Sequence, residues 1–164
     1  MVDVIVEQLS GAAPLTRPVW LQPLPSRITL EEVLGDDLDH VDGGLQVPNR
    51  WGHLAVPLGI VDDPAKQLQG PWVLDLTRAG GHVAIIGAPQ SGRTTLLWTL
   101  AAAVARTHTP RHVALYGMDL TGGGLARIEG FPHVGGVATR ASRDRLRRLL
   151  EELHGMLATR ERVF

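Results

Sequence analysis

The chain has 164 residues, 44% of them apolar and 20% charged, with a formal net charge of −1; this composition fits one folded globular domain and excludes a disordered or fibrous chain. Charge is uneven, because residues 1–75 carry eleven acidic and four basic side chains and residues 76–164 carry six and twelve, a balance suited to phosphate groups but short of a DNA-binding domain's footprint. The absence of cysteine excludes disulfides and thiolate metal sites and fits a reducing cytoplasm, and no signal peptide or apolar run of about 18 residues is present.

Val2, Val4 and Val6 are apolar on alternate positions, which predicts a short strand or the tail of an element begun upstream. Residues 11–27 hold four prolines and little periodicity, so an extended connector is expected, with Trp20, Leu21 and Leu24 anchoring it to a domain surface. Residues 29–34 predict a short helix, capped by Ser26 or Thr29 and closed by Gly35. In the acidic stretch 35–53, Asp36, Asp37, Asp39 and Asp42 lack the alternating spacing and closing glutamate of a calcium loop and read as a solvated loop. Residues 56–61 and 72–76 read as two strands separated by a turn at Asp62-Asp63-Pro64.

His82-Val83-Ala84-Ile85-Ile86 is a short β-branched run of the kind that forms a buried parallel strand. It leads into Gly87-Ala88-Pro89-Gln90-Ser91-Gly92-Arg93-Thr94-Thr95, which matches the phosphate-binding pattern G-x-x-x-x-G-K-[ST] except for arginine at the lysine position. In such a loop the glycines bring backbone N–H groups against phosphates, the cation reaches the outer phosphates and the hydroxyl holds Mg²⁺. Gly87 and Gly92 therefore frame the loop, Arg93 replaces the lysine, Thr94 supplies the Mg²⁺ hydroxyl, and Ser91 and Thr95 are further hydroxyls. Arginine keeps the charge but is a planar fork on a longer stem.

Residues 95–106 are good helix formers without glycine or proline, and placing that helix after the loop adds its positive dipole end to the phosphate site. Residues 112–118 predict a buried strand ending at Asp119, giving a βαβ unit with the phosphate strand and a right-handed crossover. His108 and His112 are four apart, but Pro110 breaks the helix that would place both on one face, so no metal site is expected. The last 24 residues predict a helix: Leu146, Leu149, Leu150, Leu153 and Leu157 recur at helical spacing, with Arg143, Arg147, Arg148, Glu151 and Glu152 on a solvated face. There is no G-x-S-x-G elbow and no thiol, and no catalytic residue is assigned.

The loop, the strand ending in Asp119, the following Gly122-Gly123-Gly124-Leu125 and the Gly130-Phe131-Pro132-His133 turn together resemble the start of an FtsK/SpoIIIE-type P-loop ATPase domain. PVWLQPLP, ITLEEVL and VPLGIVDDPAKQLQGPWVLDL make the chain most similar to the tandem ATPase modules of type VII (ESX) secretion. The resemblance implies an α/β fold: a partial P-loop NTPase (RecA-like) parallel sheet with flanking helices, preceded by an extended interdomain connector. Residues 1–53 would be the tail of a preceding module plus connector, and residues 54–164 the N-terminal part of an ATPase domain with Walker A present and Walker B absent, so that the chain would be a fragment.

On this resemblance the cofactors are ATP with Mg²⁺, and the expected activity is nucleotide binding without turnover by this chain alone. The expected partners are other modules or subunits of an ATPase ring and a secreted protein substrate. The expected place is the cytoplasm, at the inner face of the plasma membrane through a segment outside this chain. Two alternatives remain open: a DNA translocase of the chromosome-partitioning branch, drawing on the basic second half, and a non-enzymatic docking module with apolar surface around Trp72 or Trp98.

Overall fold

A computed structural model describes residues 2–9, 12, 20–35, 39–41, 44–46, 49–122 and 124–163. The element order is α1 (Val2–Leu9), α2 (Leu30–Leu34), β1 (Asp39–Val41), β2 (Gly44–Gln46), β3 (Ala55–Asp63), β4 (Leu68–Asp75), α3 (Arg93–Thr107), β5 (Leu115–Asp119), β6 (Val134–Thr139) and α4 (Arg143–Glu161). The α/β class with parallel strands and flanking helices is as expected: β5 and β6 pair in parallel, with α3 and α4 beside them.

Three expectations are corrected. Residues 2–9 are helical, because the same valines also satisfy the helical spacing Val2, Ile5, Val6 and Leu9; all five apolar side chains of α1 stay exposed, from 47% to 72%. The acidic stretch contains the antiparallel pair β1–β2, in which Asp39 faces Gln46 and Val41 faces Gly44. Asp36, Asp37 and Asp42 lie outside the described residues, as do 13–19 of the connector. Of the proposed anchors, Trp20 is 84% exposed and Leu24 is exposed, while Leu21 is half-buried; the connector is tied instead by the Gln69 amide donating to the Gln22 carbonyl, 2.7 Å.

The third correction concerns the phosphate strand. Residues 82–86 form no strand and belong to no sheet among the described residues, and Ile86 is 93% exposed. An apolar, β-branched run has strand propensity, but a strand exists only where a neighbour takes up its backbone N–H and C=O groups. The parallel crossover is therefore not from 82–86 to β5; it runs from β5 to β6 through a 3-10 segment, Gly124–Gly130.

β3 and β4 form an antiparallel hairpin with a register shift between Pro57 and Gly59, longer than the two strands expected. Asp63 caps the connecting turn through the Lys66 amide at 3.3 Å, and Gln67 closes it with φ 49°. The helix at 30–34 forms as expected: the Thr29 hydroxyl accepts from the Glu32 amide while Glu32 accepts from the Thr29 amide, a capping box that holds the Glu32 carboxyl below its usual range, and Gly35 ends the helix at φ 82°. Its buried residues are Val33 and Leu34, and the helix lies against β3, with Leu30 packed on the Val56 cluster. Thr29→Ala is expected to cost about 1 kcal/mol, read as a lowered denaturant midpoint at unchanged slope.

α3 is central because both of its sides are covered. Ala103 and Val104 pack with Val56, Leu58 and Leu76 on the hairpin side, and Ala101 packs with Ile128 and Val137 on the parallel-pair side. Leu115 touches both clusters. The run Ala101-Ala102-Ala103 lets both layers approach the helix closely. α4 is helical as expected and lies against β6, but only Leu149 of its leucines is buried; Leu150 and Leu157 remain 50% and 54% exposed.

Candidate nucleotide site

The loop 87–92 reaches α3 through two left-handed residues, Gln90 at φ 62° and Gly92 at φ 89°. Glycine takes the second without a Cβ penalty, while Gln90 holds a conformation uncommon outside glycine and asparagine. The Ser91 amide donates to the Ala88 carbonyl at 3.2 Å, which curls the loop over. That curl brings the Ser91 hydroxyl over Gly87, where an added Cβ would collide with it unless the serine side chain turned away.

Gly92 is the N-cap of α3 and has no side chain to accept from the first-turn amides; the Leu96 amide is bonded to the Gly92 carbonyl at 2.9 Å. The first-turn donors, together with the positive end of the helix dipole, thus meet the open side of the loop. All of Gly87, Ala88, Pro89, Gln90, Ser91, Gly92, Arg93, Thr94 and Thr95 are solvent-exposed, so this donor set is accessible. Arg93 opens the helix, and Thr94 and Thr95 follow it in the first turn.

Two groups near the loop were not singled out by their chemistry in the sequence. Trp98, one turn beyond Thr94, donates its indole N–H to the Gly124 carbonyl at 3.1 Å, and the Arg127 guanidinium lies over its ring at 4.8 Å from the centroid. Asp119 accepts from the amides of Thr121, Gly122 and Leu125 at 3.1, 3.0 and 3.0 Å. The only available sequence signal for Trp98 is its i, i+4 spacing from Thr94, and for Asp119 its place at the end of a strand before glycines.

A separate open cleft of about 680 Å³ lies between β6 and α4, lined by Tyr116, Glu129, Gly135, Arg145, Arg148 and Glu152 among others. Glu129 accepts there from the Val137 amide at 3.0 Å and from Arg145 at 3.3 Å, while Ser142 Oγ accepts from the Thr139 amide at 3.0 Å. Side chains thus take up two outward amides of β6, blunting that edge of the sheet. Arg147 pairs with Glu151 at 3.4 Å, as the solvated-face reading of α4 expects. Trp72, on β4, is 45% exposed, whereas Trp98 is engaged as described. Among the described residues no helix is long and apolar enough to cross a membrane.

A profile of the FtsK/SpoIIIE family matches residues 48–164. The chain is 41% identical over 162 residues to the ESX-1 secretion system protein EccCb1 of Mycolicibacterium smegmatis, covering 99% of this chain and 26% of that protein. It superposes on the cytoplasmic domain of the Thermomonospora curvata type VII secretion ATPase EccC with a TM-score of 0.82 at 41% identity, over 99% of this chain and 19% of that one. A second structure, T. curvata EccC (ATPases 2 and 3) in complex with a signal sequence peptide, gives a TM-score of 0.76 at 41% identity, over 88% of this chain and 26% of that one. The chain therefore spans about a quarter or less of the length of these proteins.

Proposed function

The chain belongs to the FtsK/SpoIIIE family, and from that premise we propose that it is a nucleotide-binding part of a type VII secretion ATPase that holds phosphates at residues 87–95 and does not hydrolyse ATP by itself. The observation that carries this is the open first turn of α3: Gly92 caps it without a side chain, directly behind a loop whose glycine and left-handed positions leave the backbone amides accessible. The residues present fit a nucleotide with Mg²⁺. Backbone amides and Arg93 match phosphate oxygens, and the Thr94 hydroxyl is one hard oxygen donor of the kind Mg²⁺ takes alongside phosphates and waters. The bound ion would neutralise charge on the phosphates; the chain's own part is to orient them.

The absence of turnover is proposed on two grounds. Arg93 cannot tuck against two phosphates as a compact ammonium does. The acidic group that ends β5, Asp119, holds the turn after that strand, and among the described residues no strand follows β6 to supply a further acidic end. We further propose that the parent assembly is a ring of such modules acting on a secreted protein; the relative from T. curvata was solved with a signal sequence peptide. A DNA translocase draws less support, because two of the α4 arginines, Arg145 and Arg147, pair with Glu129 and Glu151. Residues 1–53 would be the preceding tail and connector and residues 54–164 the ATPase part.

The test is titration of the 164-residue chain with a fluorescent ATP analogue. Saturable, Mg²⁺-strengthened binding is expected, Arg93→Ala should weaken it about tenfold, and Arg93→Lys should retain it. Phosphate release should not exceed background. Absence of saturable binding would remove the nucleotide reading, and turnover by the chain alone would remove the second half of the proposal.

A further inference from the structure

We propose that Asp119 is a positioning residue for Thr94, acting through the turn that follows β5. This rests on the reading of residues 87–95 as a nucleotide loop. Both oxygens of the Asp119 carboxylate are used: one accepts from the Thr121 and Gly122 amides at 3.1 and 3.0 Å, the other from the Leu125 amide at 3.0 Å. A carboxylate accepting from three amides fixes the shape of the turn more firmly than single backbone bonds would, since hydrogen bonds to a charged acceptor are roughly twice as strong as neutral ones.

The turn is delivered onto the first two turns of α3. Gly124 accepts the Trp98 indole N–H at 3.1 Å. The Thr94 methyl and the Trp98 ring are its neighbours on the helix, at ordinary contact distances of 3.5 and 4.0 Å from where a Cβ would stand. The methyl and hydroxyl of threonine share one carbon, so the seat of the methyl selects a χ1 well and with it the direction of the hydroxyl. The hydroxyl that would meet Mg²⁺ is thus aimed by a turn whose shape is held by Asp119. The residue touches neither nucleotide nor ion; it determines which way Thr94 faces.

Two measurements on the 164-residue chain test this. The first is the gain in affinity for a fluorescent ATP analogue between EDTA and Mg²⁺. In Asp119→Asn, where an amide nitrogen replaces one acceptor oxygen, that gain should fall about fivefold while affinity in EDTA stays within about twofold of the parent. Trp98→Phe, which removes the indole N–H together with part of the ring, should move the same ratio in the same direction by less. The second is the methyl resonance of Thr94 in the nucleotide-free protein, expected to shift in both variants.

An unchanged Mg²⁺ gain in a folded Asp119→Asn chain overturns the proposal. If that variant does not fold by circular dichroism, Trp98→Phe decides by the same criterion. If the parent chain binds no nucleotide, the loop reading falls, and an unshifted Thr94 methyl then separately shows that Asp119 does not govern that side chain.

Discussion

Gly135→Ala is expected to destabilise the chain by about 2 kcal/mol, seen as a lowered denaturant midpoint. Tyr116 of β5 lies across Gly135 of β6. A Cβ built on Gly135 would run into the Tyr116 ring at Cε1, 2.9 Å from Cζ and 3.1 Å from Cδ1. The backbone itself would accept alanine, because Gly135 is not among the positive-φ residues, so the penalty is steric. The ring can escape only by leaving the floor of the β6–α4 cleft that it lines. The same substitution in a Tyr116→Ala background should therefore cost little, and the double-mutant cycle should return a coupling of about 1–3 kcal/mol. Additive effects would mean that the glycine is required for another reason.

What was legible in the sequence followed from local chemistry. α2 is written by Thr29, Glu32 and Gly35, α3 by a run free of helix breakers, and α4 by leucines at helical spacing that carry the helix through Gly155; the loop is legible because its glycines stand where left-handed backbone or close approach is needed. The failures share one cause, that a strand is a relation between segments. Residues 82–86 have the composition of a buried strand and no paired neighbour, whereas Asp39–Val41 have a modest composition and a partner two residues away. In α1, alternation and helical spacing coincide over eight residues, and the pattern could not decide between them. Trp98 and Asp119 were named for apolar surface and for a family segment; their bonds to Gly124 and to the 121–125 amides depend on packing across the β5–α3 layer, which no spacing encodes.

Acidification is expected to loosen the far end of α3 from segment 49–53, because a buried histidine there is held in one neutral form. His108 caps α3 and is 5% exposed. The Thr107 hydroxyl donates its one proton to the Ala103 carbonyl at 2.7 Å, so toward His108 Nδ1, 2.9 Å away, it can only accept. Nδ1 therefore carries the proton and Nε2 is an acceptor. The Asn49 amide agrees: its oxygen accepts from the Trp51 and Gly52 amides, which turns its nitrogen toward the Gly52 carbonyl at 2.9 Å and His108 Nε2 at 3.2 Å. A proton added to Nε2 would face the Asn49 N–H group, donor against donor.

Burial pushes the His108 pKa down, helped by the proximity of His53, His112 and His133. His133 donates through Nε2 to the His108 carbonyl at 2.7 Å, which ties the same corner to β6. With the folded value below the unfolded one, the stabilisation from neutral His108 is fully present above about pH 6.5 and is lost as pH falls from there through the folded value. One proton can contribute a slope of at most about 1.4 kcal/mol per pH unit. His108→Ala should cost about 3 kcal/mol at pH 7.5, from the missing ring and the stranded Asn49 donor, and should remove the His108 share of the slope.

Asn49→Asp supplies the sharper check. A carboxylate opposite Nε2 would welcome the second proton, raise the His108 pKa and shrink or reverse the acid-side loss of stability. Amide exchange at residues 51–55 should report the same change locally, fast at pH 5 and slow at pH 7.5 after correction for intrinsic rates in the parent chain. An identical pH profile in parent, His108→Ala and Asn49→Asp would show that this corner does not sense protons. Since the loop at 87–95 sits at the other end of the same helix, a loosened corner that left nucleotide affinity unchanged would also show that the two ends of α3 act independently.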